Sequence, residues 1–276
     1  MKRVFIIYLF VFAIDSQLSS INSVSKEQLS TYRIESPDSL PTVLTSYHAD
    51  LIAVKLRHEA LLKFGEHQLP NNLKDWESYR LKLKNEIIKK AGVHIDHNLP
   101  LNIRESGSIQ MKGYNIKNIA FQTLPGVYAT ANLFIPEGNG PFPAVINLHA
   151  HSGRFDDKDQ AVAHSLAVNG YVCLSIDPWG AGERTTVHGV TEYHGANLGA
   201  SFMNIGESLM GIQISDNMRG VDLLCSLPYV DITNIGATGA SGGGNQTMWL
   251  AAVDERIKAA VPVVSCLLYT SPSPRD

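Results

Sequence analysis

The stretch that decides the fold runs from Ile235 to Val253 and reads IGATGASGGGNQTMWLAAV. A short apolar segment is followed by a glycine-rich turn around Ser241, and then by a run with the composition of a helix. Gly239 and Gly243 flank the serine two positions away on either side, where a side chain would collide with the adjoining strand or helix. This strand–turn–helix pattern predicts a nucleophile elbow, which holds a reactive serine at the tip of a strained turn.

The same turn predicts how a developing negative charge would be stabilised. Gly242 begins the helix, so its N–H group and the positive helix N-terminus point to where an oxyanion would form. A second donor is expected from the loop after the apolar strand 144–148, and the candidate is the N–H group of His151. The alternative, a phosphate-binding loop, is disfavoured because no Lys follows the turn and the glycine spacing matches neither nucleotide-binding fingerprint.

The pair His149 and His151 has a second interpretation, since His-x-His at the end of a strand can bind Zn²⁺. This alternative is a zinc-dependent hydrolase. No cluster of Asp or Glu at ligand spacing accompanies the two histidines in the sequence, and a zinc hydrolase would leave the turn at Ser241 unexplained. We therefore predict neither a metal nor a cofactor.

A further candidate segment, DPWGAGERT at 177–185, directly follows a buried strand, at the sheet edge that faces an active site in folds of this kind. Glu183 and Arg184 are candidates for substrate binding, with a structural ion pair as the alternative. Arg219 and Asp222 stand three residues apart on a predicted helix and are interpreted as a stabilising pair.

Short, continuously apolar runs at 144–148, 171–176, 235–237 and 259–264 alternate with helical patterns at 161–168, 214–225 and 242–253. Such runs are typical of strands buried on both faces of a parallel sheet. Two alternating segments, 116–123 and 128–136, predict antiparallel strands, and 178–204 is interpreted as a long loop. Upstream, 47–92 is predicted to be helical. Its best helical segment starts at Asn72 and stops at Gly92. The face of this helix that should pack on the core carries Leu73, Trp76, Leu83 and Ile87.

The chain has 276 residues and a net charge of -3, which favours one sizeable globular domain and gives no reason to expect a nucleic acid or an anionic membrane as partner. Lys2 and Arg3 precede an apolar run at 4–14 and then small polar residues, the order of a secretory signal, so a periplasmic or secreted protein is expected. Cys173 and Cys225 are interpreted as buried, inert thiols, although a disulfide between them stays open.

Five segments from residue 124 onward occur in an order that resembles the acetyl xylan esterase-like branch of the α/β-hydrolases, near dienelactone hydrolase relatives: LPGVYATANLFIPEG, FPAVINLHAHSG, SIDPWGAGERT, DNMRGVDLL and GATGASGGGNQTMWLAAVDERIKAAVPVVS. The resemblance implies Ser241 as nucleophile, with the N–H groups of Gly242 and His151 as oxyanion donors. Ala150 departs from the family, where relatives commonly carry Gly.

In this fold the order along the chain is serine, acid, histidine, so both partners of Ser241 are expected beyond Ser265. Residues 266–276 contain no His and are similar to a translated sequencing adapter, so they are excluded from the fold. The expected organisation is a signal peptide at 1–20, a linker and N-terminal helical extension at 21–110, an α/β-hydrolase core at 111–265 that is incomplete at its C-terminus, and a non-native tail. The 276-residue chain is expected to be insoluble and inactive when expressed alone.

The sequence thus predicts a mostly parallel α/β-hydrolase sheet and a serine esterase that deacetylates a carbohydrate through an acyl-enzyme. The alternatives on the same fold are a glucuronoyl esterase and a serine peptidase. Those of another class are the zinc hydrolase and a non-catalytic carbohydrate-binding relative. The expected partner is a small-molecule or polysaccharide ester, and the oligomeric state is unknown.

Overall fold

The computed structural model describes residues 51–66, 69–185 and 196–264. The predicted signal peptide, most of the linker, part of the long loop and the tail lie outside these ranges. The chain divides into two compact units between Leu69 and Pro70. The first contains helix α1 (Leu51–Gly65), and the second contains the remaining elements. Within the described ranges, each helix is too short or too polar to cross a bilayer.

Helix α2 (Leu73–Ala91) has the boundaries that the sequence predicts. The Asn72 side chain accepts a hydrogen bond from the Asp75 N–H group at 3.0 Å, and Gly92 closes the helix in the left-handed conformation with φ 69°. Ile87 packs against the core. The prediction that Leu73 and Leu83 share this packing face is wrong, because both side chains are exposed.

One seven-stranded sheet organises the second unit, in the order β1-β2-β3-β5-β4-β6-β7. The pairs β1–β2, β2–β3 and β3–β5 are antiparallel. The pairs β5–β4, β4–β6 and β6–β7 are parallel. The strands are β1 (Arg104–Met111), β2 (Tyr114–Leu124), β3 (Val127–Pro136), β4 (Phe142–Leu148), β5 (Val172–Ile176), β6 (Val230–Ala240) and β7 (Ile257–Val263). The parallel part confirms the interpretation of the four apolar runs.

Helices cover both faces of this sheet, as its doubly buried strands require. Helix α3 (Asp157–Val168) packs its alanines with Cys173 and Phe134 on one face. Helices α5 (Leu209–Ser226) and α6 (Gly242–Val253) cover the other face and enclose the larger core cluster. This arrangement is that of an α/β-hydrolase fold.

Two elements were not predicted. Residues 104–110, which the sequence analysis assigned to the helical extension, form most of β1, and every residue of that strand is exposed. Part of the segment interpreted as a long loop is helix α4 (Ala196–Asn204). Both lack the apolar pattern on which the prediction depended, because β1 buries neither face and α4 carries a glycine in mid-helix.

Candidate active site

Ser241 stands between the last residue of β6 and the first residue of α6. Its backbone has φ 56° and ψ −116°, which a residue with a side chain adopts only under constraint. The Ser241 N–H group donates to the carbonyl of Val263 at 2.8 Å, and the Ser241 carbonyl accepts from the N–H group of Asn245 at 3.0 Å. The side of the turn that carries the serine is exposed. The strand–turn–helix backbone at Ser241 is the one that the sequence predicts, and the role of Ser241 as a nucleophile stays a prediction.

The glycines flanking Ser241 are required by the end of strand β4. A Cβ atom on Gly239 would lie 2.4 Å from the carbonyl oxygen of Leu148, and one on Gly243 would lie 2.0 Å from the same oxygen. Real Cβ atoms do not approach backbone this closely, so any larger residue would push the two strands apart or displace the helix. The elbow is therefore pressed directly against the residues that lead into the loop 149–151.

This contact brings the two predicted oxyanion donors to the same edge of the sheet. Gly242 is the first residue of α6, where no side chain caps the helix and the amide groups point to the helix N-terminus. His151 follows β4 by three residues, and the carbonyl of His149 accepts from the Gln246 side chain on α6 at 2.8 Å. Their roles as oxyanion donors stay predictions.

His149 lies in the interior. Its side chain is fully buried, with Nε2 2.7 Å from the Ser175 hydroxyl and Nδ1 2.9 Å from a carboxylate oxygen of Asp159. Both ring nitrogens therefore face protein groups. No set of three or more His, Cys, Asp or Glu side chains that could hold a metal is present in the described part of the chain. The donor set that the zinc alternative requires around His149 and His151 is thus missing from these residues.

A cleft of about 320 Å³ opens beside the elbow, between the first turns of α5 and α6. Its size is at the lower end of the range for small-ligand sites. Among the described residues, no charged side chain lines it; Ala150 and Gly242 form the end near the serine, and the walls are Leu209, Met210, Gln213, Ile214, Asn245, Gln246 and Trp249.

One polar atom of this cleft lacks a hydrogen bond. The buried side-chain oxygen of Asn245 has no partner among the residues described, although buried acceptors are usually satisfied. The sequence analysis did not single out Asn245 or Trp249. The available signal was their spacing of three and seven residues from Gly242, which places them on one face of α6.

The segment after β5 is held by a buried ionic network. The Asp177 carboxylate is fully buried and accepts from the Arg154 guanidinium and from the Thr130 hydroxyl, the latter at 2.7 Å. Arg154 also contacts Glu183 at 2.6 Å, and the Glu183 side chain is 54% exposed. Glu183 thus forms an ion pair with Arg154, a partner that was not predicted from the sequence.

Arg184 belongs to a second part of the network. Its guanidinium donates to a carboxylate oxygen of Asp216 at 2.7 Å and lies 4.2 Å over the ring of Trp179, whose indole N–H donates to the same oxygen at 2.7 Å. These contacts too are structural, and substrate binding by Glu183 or Arg184 stays a prediction. The predicted pair Arg219–Asp222 is present at 2.5 Å.

Comparison with known proteins extends these findings. The family model for acetyl xylan esterase (AXE1) matches residues 72–269. Over 138 residues the chain is 32% identical to YtaP of Bacillus subtilis, a hydrolase by name, covering 46% of this chain and 44% of YtaP. YuxL of Bacillus subtilis, a peptidase by name, is 29% identical over 153 residues, which are 52% of this chain and 21% of YuxL. The chain spans less than half the length of either curated relative.

Two solved structures resemble the chain. A Bacteroides fragilis protein named as an acetyl xylan esterase has a TM-score of 0.61 at 17% identity, over 78% of this chain and 61% of its own. The methylesterase BT1017 has a TM-score of 0.60 at 26% identity, over 78% of this chain and 46% of its own. The first likeness concerns the fold alone. Because the family model covers well over half of the residues, the chain belongs to the acetyl xylan esterase family.

Proposed function

We propose that the protein is a serine carboxylic-ester hydrolase that acts on carbohydrate esters through an acyl-enzyme. The Ser241 hydroxyl attacks the ester carbonyl, and the oxyanion is held by the N–H groups of Gly242 and His151. The alcohol then leaves, and water releases the acid. The proton of the serine passes to a general base, which the sequence analysis expects after β7.

The single observation that carries this proposal is the strained backbone of Ser241, held against β4 by two glycines that tolerate no side chain. Strain of this kind costs about 1–3 kcal/mol and persists where a function requires it. Membership of the acetyl xylan esterase family supports the same reaction class.

For the substrate we propose an acetyl ester on a polysaccharide, as the family's description suggests. A second candidate, the methyl ester of a sugar acid, is favoured by the 26% identity to a methylesterase. The uncharged lining of the cleft suits a neutral group of either substrate. Acetylated xylan and a methyl-esterified polyuronate separate the two: release of acetate supports the first and release of methanol the second.

The nucleophile is tested in the native gene product. Ser241→Ala should lower hydrolysis of a small aryl acetate by several orders of magnitude and abolish labelling by a fluorophosphonate, because a missing nucleophile removes the covalent step. Ser106→Ala, an exposed serine on β1, is the matched control and should leave both unchanged. Most of the activity surviving in Ser241→Ala, or loss of activity to a chelator with recovery on adding zinc, would reject the proposal.

We further propose export, on the order of charged, apolar and small residues at 2–20. A mature N-terminus near residues 15–25 is expected in periplasmic or secreted material. An intact Met1 on a cytoplasmic product would argue against export.

A further inference from the structure

The side chains of Asp159, His149 and Ser175 form a chain of contacts in the interior that resembles a catalytic triad. His149 Nδ1 is 2.9 Å from Asp159, and its Nε2 is 2.7 Å from the hydroxyl of Ser175. Because Ser175 on β5 is completely buried, no substrate reaches its hydroxyl. The arrangement is therefore not a second active site, and its purpose lies in what it holds in place.

Two contacts orient the ring of His149. A carboxylate oxygen of Asp159 lies 2.9 Å from Nδ1, close enough for an ion pair but outside hydrogen-bond geometry. The Ser175 hydroxyl and Nε2 are hydrogen-bonded at 2.7 Å. The side chain of Asn147 supports both neighbours, because its amide donates to the Asp159 carbonyl at 3.3 Å and approaches the Ser175 hydroxyl at 3.5 Å. The orientation of the imidazole is fixed from both ends.

The main chain of His149 belongs to the oxyanion side of the site. Its carbonyl accepts from Gln246 Nε2 at 2.8 Å, and the side-chain oxygen of Gln246 accepts from the Asn217 side-chain amide at 3.1 Å. The backbone nitrogen of His149 also packs closely against α6, since a Cβ atom added to Gly243 would lie only 3.1 Å from it. His149 thus links the loop 149–151 to α3 and β5 by its ring and to α6 by its backbone.

We propose that His149, oriented by Asp159 and Ser175, is a positioning residue that fixes the loop 149–151 so that the N–H group of His151 points at the oxyanion. This inference rests on the proposed function. An oxyanion donor acts only if it is already in place when the charge develops, and removing one donor altogether costs about 10²–10³ in kcat. A donor that is merely displaced should cost less, on the order of tenfold.

The test compares two neighbouring carboxylates in the first turn of α3 of the native gene product. Asp159→Ala removes the partner of His149, whereas Asp157→Ala removes an equal charge from the same helix turn without touching the ring. We expect Asp159→Ala to lower kcat on an aryl acetate about tenfold with KM within about twofold, and Asp157→Ala to leave both unchanged. Asp159→Asn, which keeps a side chain of the same shape and a polar oxygen beside Nδ1, should recover much of the loss.

A second measurement separates positioning from loss of structure. A trifluoromethyl ketone forms a tetrahedral adduct with the serine, whose oxygen occupies the oxyanion site. Its affinity should fall in Asp159→Ala by the same factor as kcat/KM, in samples whose folded fraction is verified by thermal unfolding. Equal kcat and inhibitor affinity in Asp159→Ala and Asp157→Ala, or a loss confined to KM, would overturn the proposal. If Ser241→Ala is also active, the proposed function itself fails, so the two failures are distinguishable.

Discussion

At Ser241 the backbone angles of φ 56° and ψ −116° place a side-chain-bearing residue where glycine is normally required. The surrounding structure enforces this conformation, since Val263 fixes the N–H group and the end of β4 leaves no room beside Gly239 or Gly243. The strained conformation of the proposed nucleophile therefore lowers the free energy of unfolding of the protein.

This strain gives a prediction for a pair of variants of Ser241. We expect the free energy of unfolding of Ser241→Gly to exceed that of Ser241→Ala by about 1 kcal/mol. Glycine relieves a backbone strain of about 1–3 kcal/mol, and the greater conformational entropy of its unfolded state offsets part of this gain. Both variants lack the nucleophile, so activity cannot confound the comparison. Urea unfolding of the two proteins measures the difference, and equal stabilities would mean that the turn is not strained at this residue.

The residues of the elbow could be predicted from sequence because their constraint is local: a serine, its glycines and the start of a helix are contiguous. The environment of His149 could not, because Asp159 and Ser175 lie on other elements and no local pattern joins them. The same pair of histidines therefore suggested zinc, whereas the ring of His149 faces a carboxylate and a hydroxyl.

At the scale of elements, the buried strands and the helices with an apolar face were predictable, whereas β1 and α4 were not. Elements that bury one face show periodic apolar residues in the sequence. Strand β1 is exposed throughout and shows no such pattern, so its strand conformation comes from pairing with β2. The segment after β5 shows a related limit. Its charged residues were visible in the sequence, but their partners were not: Arg154 lies after β4, and Asp216 lies on α5.

The link between this segment and α5 yields a second prediction. Arg184→Met should destabilise the fold by about 3–5 kcal/mol, because it leaves the buried Asp216 carboxylate without its counter-charge. Adding Asp216→Leu should recover part of the loss, since both charges are then gone. Glu183→Gln is the control; its side chain is largely exposed, so a change below about 1 kcal/mol is expected.

Chemical denaturation of the four proteins gives these values, and kinetics on the same samples decides the role of Arg184. If Arg184 binds substrate instead, Arg184→Met will raise KM while the stability stays near that of the parent. That result would reject the structural interpretation.

For the molecule as a whole, the order of elements in the core followed from the sequence because alternating buried strands and helices permit few topologies. Details that depend on three-dimensional neighbours did not follow: the cleft beside Trp249, the ionic network and the exposed face of α2. The two described cysteines are unpaired, and Cys173 on β5 is completely buried. Burial raises the pKa of the Cys173 thiol far above its usual range.

Cys173 should therefore report the opening of the whole sheet. Only a thiolate reacts with an alkylating reagent, and in the folded protein Cys173 is both inaccessible and protonated, so its modification in the native state at pH 7 should be very slow. In urea its modification should follow global unfolding, because β5 is paired on both sides and packed on both faces. The measurement uses the native gene product with every cysteine except Cys173 replaced by serine, so that a single thiol is present, and compares alkylation with the loss of far-ultraviolet circular dichroism. Alkylation at urea concentrations well below the unfolding transition would mean that β5 opens locally and that the sheet does not unfold as one unit.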